Sequence, residues 1–195
     1  MVSAIITYLI ILMKKRKYLL NSAGKFHNFE LGKELLKKNQ LSKIISGYPW
    51  FKLKKEGIPK KFVEANGLIR ILREPLIKLR SFKQIDHLLN IYGLQKIDKI
   101  TSKIIDKDDE IDVLIAQSSC GLESGKNTKN KGKLYVCDRT STHIDFQNNI
   151  LQEEYKTLNL DYIPMNNWYL DRERKEYEEA DMILVPSNFK KSTFG

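Results

Sequence analysis

Residues that commonly build disulfide and metal sites are scarce in this sequence. Its 195 residues include two cysteines, Cys120 and Cys137, too few for a disulfide framework or a zinc site. Both lie in or beside apolar runs, so we expect buried, reduced thiols in a cytoplasmic protein. No histidine and glutamate cluster has metal-ligand spacing, and no Ser-His-Asp triad is evident. The sequence therefore predicts no metal and no disulfide.

Nucleotide-binding fingerprints and long apolar segments are also missing. There is neither a dinucleotide-binding motif nor a phosphate-binding P-loop, and no internal repeat. The apolar run 1–12 is too short to span a bilayer, and its basic cluster 14–17 follows it, whereas a signal peptide places charges first. An interfacial anchor, a disordered tail and a start-site artefact stay open. A clean domain start after Met13 favours the artefact, which leaves one domain over 13–195.

Positive charge is abundant. The formal net charge is +10, with 42% hydrophobic and 30% charged residues, a composition typical of a soluble globular domain. This charge favours an anionic partner, although surface lysines without a ligand explain it equally well. The basic stretch 52–61, with Trp50, Phe51 and Phe62, suits stacking on nucleic-acid bases or contact with an anionic membrane. No recognised nucleic-acid module accompanies it, so nucleic acid is disfavoured.

Strand and helix patterns alternate along the chain, which predicts an α/β fold with a Rossmann-like, doubly wound, mostly parallel sheet. The predicted strands are 18–21, 43–47, 111–116, 134–137 and 182–185. The predicted helices begin near Asn28 and cover 76–105, part of 121–132, 142–158 and 171–180. Segment 48–74 is predicted to be less regular. Gly93 is a candidate break in the long helix, whose candidate core positions include Ile85 and Leu88. The acidic run 176–181 is predicted to be a solvated helix face, with the pairs Arg172–Glu176 and Arg174–Glu178 at i,i+4.

Ligands of such sheets bind beyond the carboxyl ends of the strands, where four segments fall. In the first, Gly24 permits close backbone approach and the following helix N-terminus favours an anion, so Gly24, Lys25 and His27 are substrate-binding candidates. A tight turn without a ligand is the alternative. In the second segment, 118–121, the candidates are Ser119 and Gly121. The fourth, 186–189, predicts that Ser187 caps a helix.

The third segment follows a predicted buried strand and carries the catalytic candidates Asp138, Arg139 and His143. Asp138 could hold a sugar hydroxyl or take its proton, and Arg139 could clamp a phosphate. Ser141 is a further substrate-binding candidate. Alternatively, Ser141 or Thr142 caps the next helix, Asp138 and Arg139 pair with each other, and His143 only packs.

Three motifs in order resemble the first domain of bacterial glycosyltransferase family 4. The first is Gly24-Lys25-Phe26-His27-Asn28-Phe29-Glu30-Leu31, followed by Ser46-Gly47-Tyr48-Pro49. The second is Cys137-Asp138-Arg139-Thr140-Ser141-Thr142-His143-Ile144, with Gln147 and Glu153-Glu154-Tyr155 downstream. The third is 173–189, similar to the family's "E…AD-x-I-x-V-P-S" segment. The resemblance extends from about Met13 to Phe194.

The resemblance implies the N-terminal half of a GT-B fold, in which two Rossmann-like domains face a cleft and catalysis needs no metal. The implied donor is a nucleotide-sugar, and the acceptor is a glycan or a lipid-linked molecule held by this domain. Gly24 and Lys25 match the loop that approaches the donor phosphates. Asp138, Arg139 and His143 match the residues that reach the transferred sugar. In the family, transfer usually retains configuration.

Two departures from the family pattern matter. Ala23 stands where many members have a second glycine, and the sequence stops at Gly195, where the family continues into its donor-binding domain. We therefore expect little transferase activity from this chain alone. The alternative is a non-catalytic module that binds a glycan or an anionic lipid. The expected location is the cytoplasm, with peripheral contact at the inner face of the cytoplasmic membrane.

Overall fold

A computed structural model describes residues 15–78, 82–162 and 164–195. Its strands are β1 (Lys17–Ser22), β2 (Leu41–Ser46), β3 (Val63–Ala65), β4 (Ile111–Gln117), β5 (Leu134–Asp138) and β6 (Met182–Leu184). Its α-helices are α1 (Asn28–Lys37), α2 (Trp50–Leu53), α3 (Leu68–Lys78), α4 (Lys83–Lys107), α5 (Leu122–Asn130), α6 (Ile144–Thr157), α7 (Asn167–Glu179) and α8 (Asn188–Ser192). The predicted extension 1–12 lies outside the described residues.

The six strands form one parallel sheet in the order β3-β2-β1-β4-β5-β6. The chain winds outward from β1 to β3, returns to the centre and winds the other way from β4 to β6. The strand order therefore reverses between β1 and β4, where a doubly wound sheet opens a crevice for ligands. This topology confirms the predicted Rossmann-like α/β fold.

Alternating side chains of the strands build a core on each face of the sheet. Leu19 points into one hydrophobic cluster and its neighbour Leu20 into the other, as the two-residue period of a strand requires. Cys120 and Cys137 lie fully buried and unpaired in the Leu19 cluster. Burial raises the pKa of both thiols well above their ordinary value, so they are uncharged at neutral pH. The prediction that both cysteines are buried is confirmed.

Two elements differ from the sequence prediction between 48 and 107. The segment predicted to be less regular contains β3 and the start of α3; β3 has three residues and lies at the sheet edge, which leaves little periodic signal. Helix α4 runs through Gly93 unbroken. A Cβ on Gly93 would lie 3.1 Å from Ile69 on α3, so this glycine serves close helix packing. Ile85 and Leu88, predicted to be core, are 47% and 65% exposed.

Helix α7 differs most from its prediction. It begins at Asn167, four residues earlier than expected, because the Asn166 side chain accepts a hydrogen bond from the Trp168 backbone N–H at 2.8 Å. Its acidic residues are not uniformly solvated: Glu173 and Glu176 are buried. The prediction of a solvated face is therefore wrong at Glu176. No helix within the described part of the chain is both long and apolar enough to cross a membrane.

Candidate functional site

An open groove runs along the carboxyl ends of the central strands, with Ala23 at its middle. The part of the groove over β4 and β5 has a volume of about 340 Å³, and the part over β1 and β2 a volume of about 230 Å³. The wider part is lined by Gln117, Ser118, Ser119, Arg139 and Thr140 among others, and the narrower part by Gly24, Lys25, Phe26, Tyr48 and Arg70. The groove occupies the crevice that the reversal of strand order predicts.

His27 and Asp138 lie in hydrogen-bond contact across this edge of the sheet. His27 precedes α1 and Asp138 ends β5, and the Nε2–Oδ2 distance is 2.8 Å. The carboxylate side chain is 4% exposed and the imidazole 46%, so the acid is shielded while the ring reaches solvent. Burial raises the pKa of Asp138, and the adjacent His27 opposes part of that rise. A buried carboxylate that orients an accessible imidazole is an arrangement that supports proton transfer.

The loop that carries His27 is fixed by two strand-end hydroxyls. Ser22 Oγ and Ser46 Oγ each donate to the Gly24 carbonyl oxygen at 2.8 Å. A Cβ on Gly24 would lie 2.9 Å from the ring of Phe26, an exposed side chain that can move aside. Lys25 extends from the same loop and its Nζ lies 2.6 Å from Glu56 Oε1, both at the surface. The predicted loop is thus a rigid turn that presents a cation and an imidazole.

Arg139 lies beneath the wider part of the groove and is almost fully engaged. Its guanidinium lies 2.9 Å from Glu173 Oε2 and donates to Gln147 Oε1 at 2.7 Å and to the Thr142 carbonyl at 2.9 Å. Arg139 pairs with Glu173 rather than with Asp138, contrary to the pairing considered from the sequence. Since few of its N–H groups are free, Arg139 could clamp a phosphate only after giving up some of these bonds.

Ser119 and Gly121 are held from below by α7. The Ser119 backbone N–H donates to Glu176 Oε2 at 2.5 Å and the Gly121 N–H to Glu176 Oε1 at 2.9 Å. Ser119 has a positive φ of 71°, a strained conformation for serine that these bonds help to hold. Burial raises the pKa of Glu176 to about 8, although Arg172 and the two backbone N–H groups lower it. Arg172 in turn bridges Glu176 and Asp98, both fully buried.

His143 lies apart from the His27–Asp138 pair. It is the N-cap of α6, where its Nδ1 accepts from the Asp145 backbone N–H at 3.2 Å. Its ring packs between Tyr177 and Phe194, with centroid distances of 4.9 and 5.0 Å. Neither Ser141 nor Thr142 therefore caps α6; Ser141 is partly buried in the turn before His143. The packing interpretation of His143 matches its surroundings, and its catalytic role stays a prediction.

The charged network of α7 was not predicted from the sequence. The spacing of residues along the helix could have revealed it. Intervals of three and four residues separate Leu170, Glu173 and Tyr177, which places Glu173 between apolar residues on the inner helix face. The charge of the segment concealed this pattern. Arg174, predicted to pair with Glu178, instead lies 2.6 Å from Asp145 Oδ1. Within the described ranges, no three histidine, cysteine or acidic side chains are placed to hold a metal ion.

Solved structures with the same fold include enzymes that act on nucleotide-sugars. A UGT2 from Phytolacca americana, complexed with UDP-2fluoro-glucose and pterostilbene, has a TM-score of 0.52 at 12% identity over 89% of this chain and 48% of its own. TcCGT1 in complex with UDP scores 0.53 at 12% identity, covering 89% and 45%. A putative UDP-N-acetylglucosamine 2-epimerase from Listeria monocytogenes scores 0.52 at 10% identity, covering 93% and 42%.

These similarities establish architecture rather than activity. No protein-family model matches the sequence, and no curated protein sequence matches it either. The chain spans less than half the length of the structures above, and one of them is named as an epimerase, so the fold alone does not identify the reaction. The more specific resemblance to family 4 stays a prediction. The chain has the Rossmann-like fold found in the N-terminal half of GT-B glycosyltransferases.

Proposed function

We propose that this chain is the acceptor-side part of a glycosyltransferase that moves a sugar from a nucleotide-sugar to a hydroxyl of a glycan or a lipid-linked acceptor. The observation that carries the proposal is the His27–Asp138 pair, 2.8 Å apart, which joins the loop after β1 to the carboxyl end of β5. The GT-B architecture and the UDP ligands named for two of the similar structures add support. A donor-binding domain and contact with the inner membrane face belong to the proposal.

The pair suits His27 to act as a general base. Asp138 Oδ2 accepts a hydrogen bond from the Nε2–H group of His27. This bond favours the neutral tautomer in which Nδ1 carries no proton and can accept one. Nδ1 takes the proton from the acceptor hydroxyl while its oxygen forms a bond to the sugar's anomeric carbon. The bond from that carbon to the nucleoside diphosphate breaks, and the diphosphate leaves with the bonding electrons. The Asp138 carboxylate stabilises the imidazolium that forms.

The Gly24 loop supplies a second element of the proposal. Lys25 lies two residues before His27 on a turn fixed by two hydroxyl groups. Its ion pair with Glu56 is at the surface, so a phosphate can replace Glu56 at a small cost in free energy. Lys25 would then stabilise charge on the leaving diphosphate. Arg139 would shape the groove floor through Glu173 and Gln147. In this proposal a base-activated acceptor displaces the donor in one step, which inverts the anomeric carbon and departs from the retention that family 4 resemblance implies.

Sugar transfer by histidine variants tests the base. The assay uses the native protein. Purified nucleotide-sugars serve as donors, and an extract of membranes and glycans supplies the acceptor. His27→Gln keeps a side-chain donor towards Asp138 but removes the base, so kcat should fall by about 10²–10⁴ with little change in KM. His143→Asn should keep kcat within about threefold, because Asn also caps a helix.

The outcomes separate the candidate functions. Loss of transfer in His27→Gln and an inverted product by NMR support the proposal. Equal activity of His27→Gln and the unmodified protein would refute the base, and loss in His143→Asn with an intact fold would return the role to that residue. If the protein transfers no sugar but binds glycans or anionic lipid, the non-catalytic module replaces the enzyme.

A further inference from the structure

Large apolar side chains are exposed on α3 and on the first part of α4. We name the exposed large apolar residues of 68–77 and 82–92 together the apolar ridge. Its exposed members are Leu68 (61%), Ile71 (46%), Leu72 (49%), Ile77 (51%), Phe82 (41%), Ile85 (47%), Leu88 (65%) and Tyr92 (55%). Concentrated apolar exposure of this kind marks an interaction surface more often than scattered single residues do.

The ridge is the outer face of helices whose inner faces line the groove. On α3, Leu68 and Leu72 are one turn apart and exposed, whereas Arg70 borders the groove and Ile69 lies close to Gly93 of α4. On α4, Ile85 and Leu88 are exposed, whereas Asn90 and Leu94 border the groove. The helices are joined by Arg73, whose Nε lies 2.7 Å from Asp86 Oδ1. Whatever covers the ridge therefore lies next to the groove.

Positive charge borders the ridge. Eight lysines and arginines but only three glutamates fall between residues 50 and 78, in a chain whose net charge is +10. Lys52 connects this basic segment to the ridge, since its Nζ lies 3.3 Å from Glu74 Oε1 on α3. Phe51 beside it is 58% exposed. Lys54 and Lys55 are exposed and face solvent.

We propose that the apolar ridge and the basic segment 50–61 dock the protein on an anionic phospholipid bilayer. The apolar side chains would enter the headgroup region while the lysines pair with anionic headgroups, the combination that holds amphipathic helices at membrane surfaces. Charge complementarity favours this occupant over a second copy of the chain, because two copies would bring the same basic segments together. This part of the inference rests on the proposed function: docking here places the groove at the membrane surface, where a lipid-linked acceptor is reached without leaving the bilayer.

Vesicle flotation of the full chain tests the ridge. The probe is vesicles of phosphatidylcholine with or without 30% phosphatidylglycerol at about 0.1 M salt. Leu72→Gln with Leu88→Gln changes two exposed positions of the ridge and should weaken binding to the anionic vesicles roughly tenfold or more. The matched control is Leu158→Gln with Leu160→Gln, since these leucines are 62% and 56% exposed but lie near the end of α6, away from the ridge. It should bind as the unmodified chain does.

Charge is tested with a second pair of variants. Lys54→Gln with Lys55→Gln should weaken binding about tenfold or more, whereas Lys37→Gln with Lys38→Gln, at the far end of α1, should weaken it much less. Circular dichroism verifies the fold of each variant. Binding that is absent, or equal in ridge and control variants, overturns the proposal and would assign any residual binding to another segment. A dimer that the ridge variants abolish, without vesicle binding, also overturns it and makes the ridge a contact between copies.

Discussion

Replacement of Arg172 by leucine should destabilise the protein severely. Arg172 is 7% exposed and lies between two fully buried carboxylates, with its guanidinium 2.5 Å from Asp98 Oδ2 and 3.3 Å from Glu176 Oε1. Leucine fills much of the volume but leaves both carboxylates without a cation. Removing one partner of a buried ion pair costs about 3–5 kcal/mol. Against a total stability of roughly 5–15 kcal/mol, the variant should be close to unfolding.

A second arginine on the same helix provides the control. Arg174 is 45% exposed and lies 2.6 Å from Asp145 Oδ1. Surface ion pairs contribute about 1 kcal/mol or less, so Arg174→Leu should cost no more than that. The two substitutions are identical in chemistry and two residues apart. Any difference between them therefore reports the burial of the partners rather than helix propensity or net charge.

Urea unfolding followed by circular dichroism measures both variants. In the unmodified protein, burial raises the pKa of Glu176 from about 4.5 to about 8, so the folded state binds its proton more tightly than the unfolded chain. That contribution to stability is complete below pH 4.5 and is lost as the pH rises to 8. Without Arg172 the pKa of Glu176 should rise further, so the loss should extend to higher pH, and Arg172→Leu should regain stability on acidification. Equal destabilisation by both variants at pH 7, or no recovery at pH 5, would refute the reasoning.

Two further substitutions test local packing and capping. Gly125→Ala should lower the free energy of unfolding, measured in urea, by about 1–3 kcal/mol, because the new Cβ would lie 2.4 Å from the buried Tyr135 ring. This clash outweighs the higher helix propensity of alanine. A variant more stable than the unmodified protein would contradict it. Burial lowers the pKa of His143, so the native state favours the neutral ring that accepts from Asp145 N–H, and stability is lost as the pH falls through 6.5. His143→Asn should show a smaller fall in melting temperature between pH 7.5 and 5.5, and an equal fall in both proteins would contradict this assignment.

Most of the sheet was predictable because parallel strands are buried on both faces. The segments predicted at 18–21, 111–116 and 134–137 became β1, β4 and β5 with small shifts in their bounds. Ser187 caps α8 as predicted, with its Oγ accepting from the Lys190 backbone N–H at 3.3 Å. Strand β3 escaped prediction because three residues at an edge are too few to show a period.

The candidate site was predictable in location but not in pairing. Gly24, Lys25, His27 and Asp138 were placed at strand ends, and parallel strands bring such ends to one edge. The contact between His27 and Asp138 joins residues 111 positions apart, so no local pattern could show it. Burial of Glu176 likewise depends on the turn at Ser119, a distant segment that the sequence of α7 does not reveal.

The central position of β1 has a consequence for how the chain folds during synthesis. β1 pairs with β2 almost at once, but its other neighbour is β4, and Leu19 lies opposite Leu114. At about 5–20 residues per second, a ribosome needs roughly 5–20 s to make the intervening 95 residues. During that interval one edge of an apolar strand stays open on the nascent chain. A chaperone that covers this edge should raise the yield of folded protein more than one that acts after release.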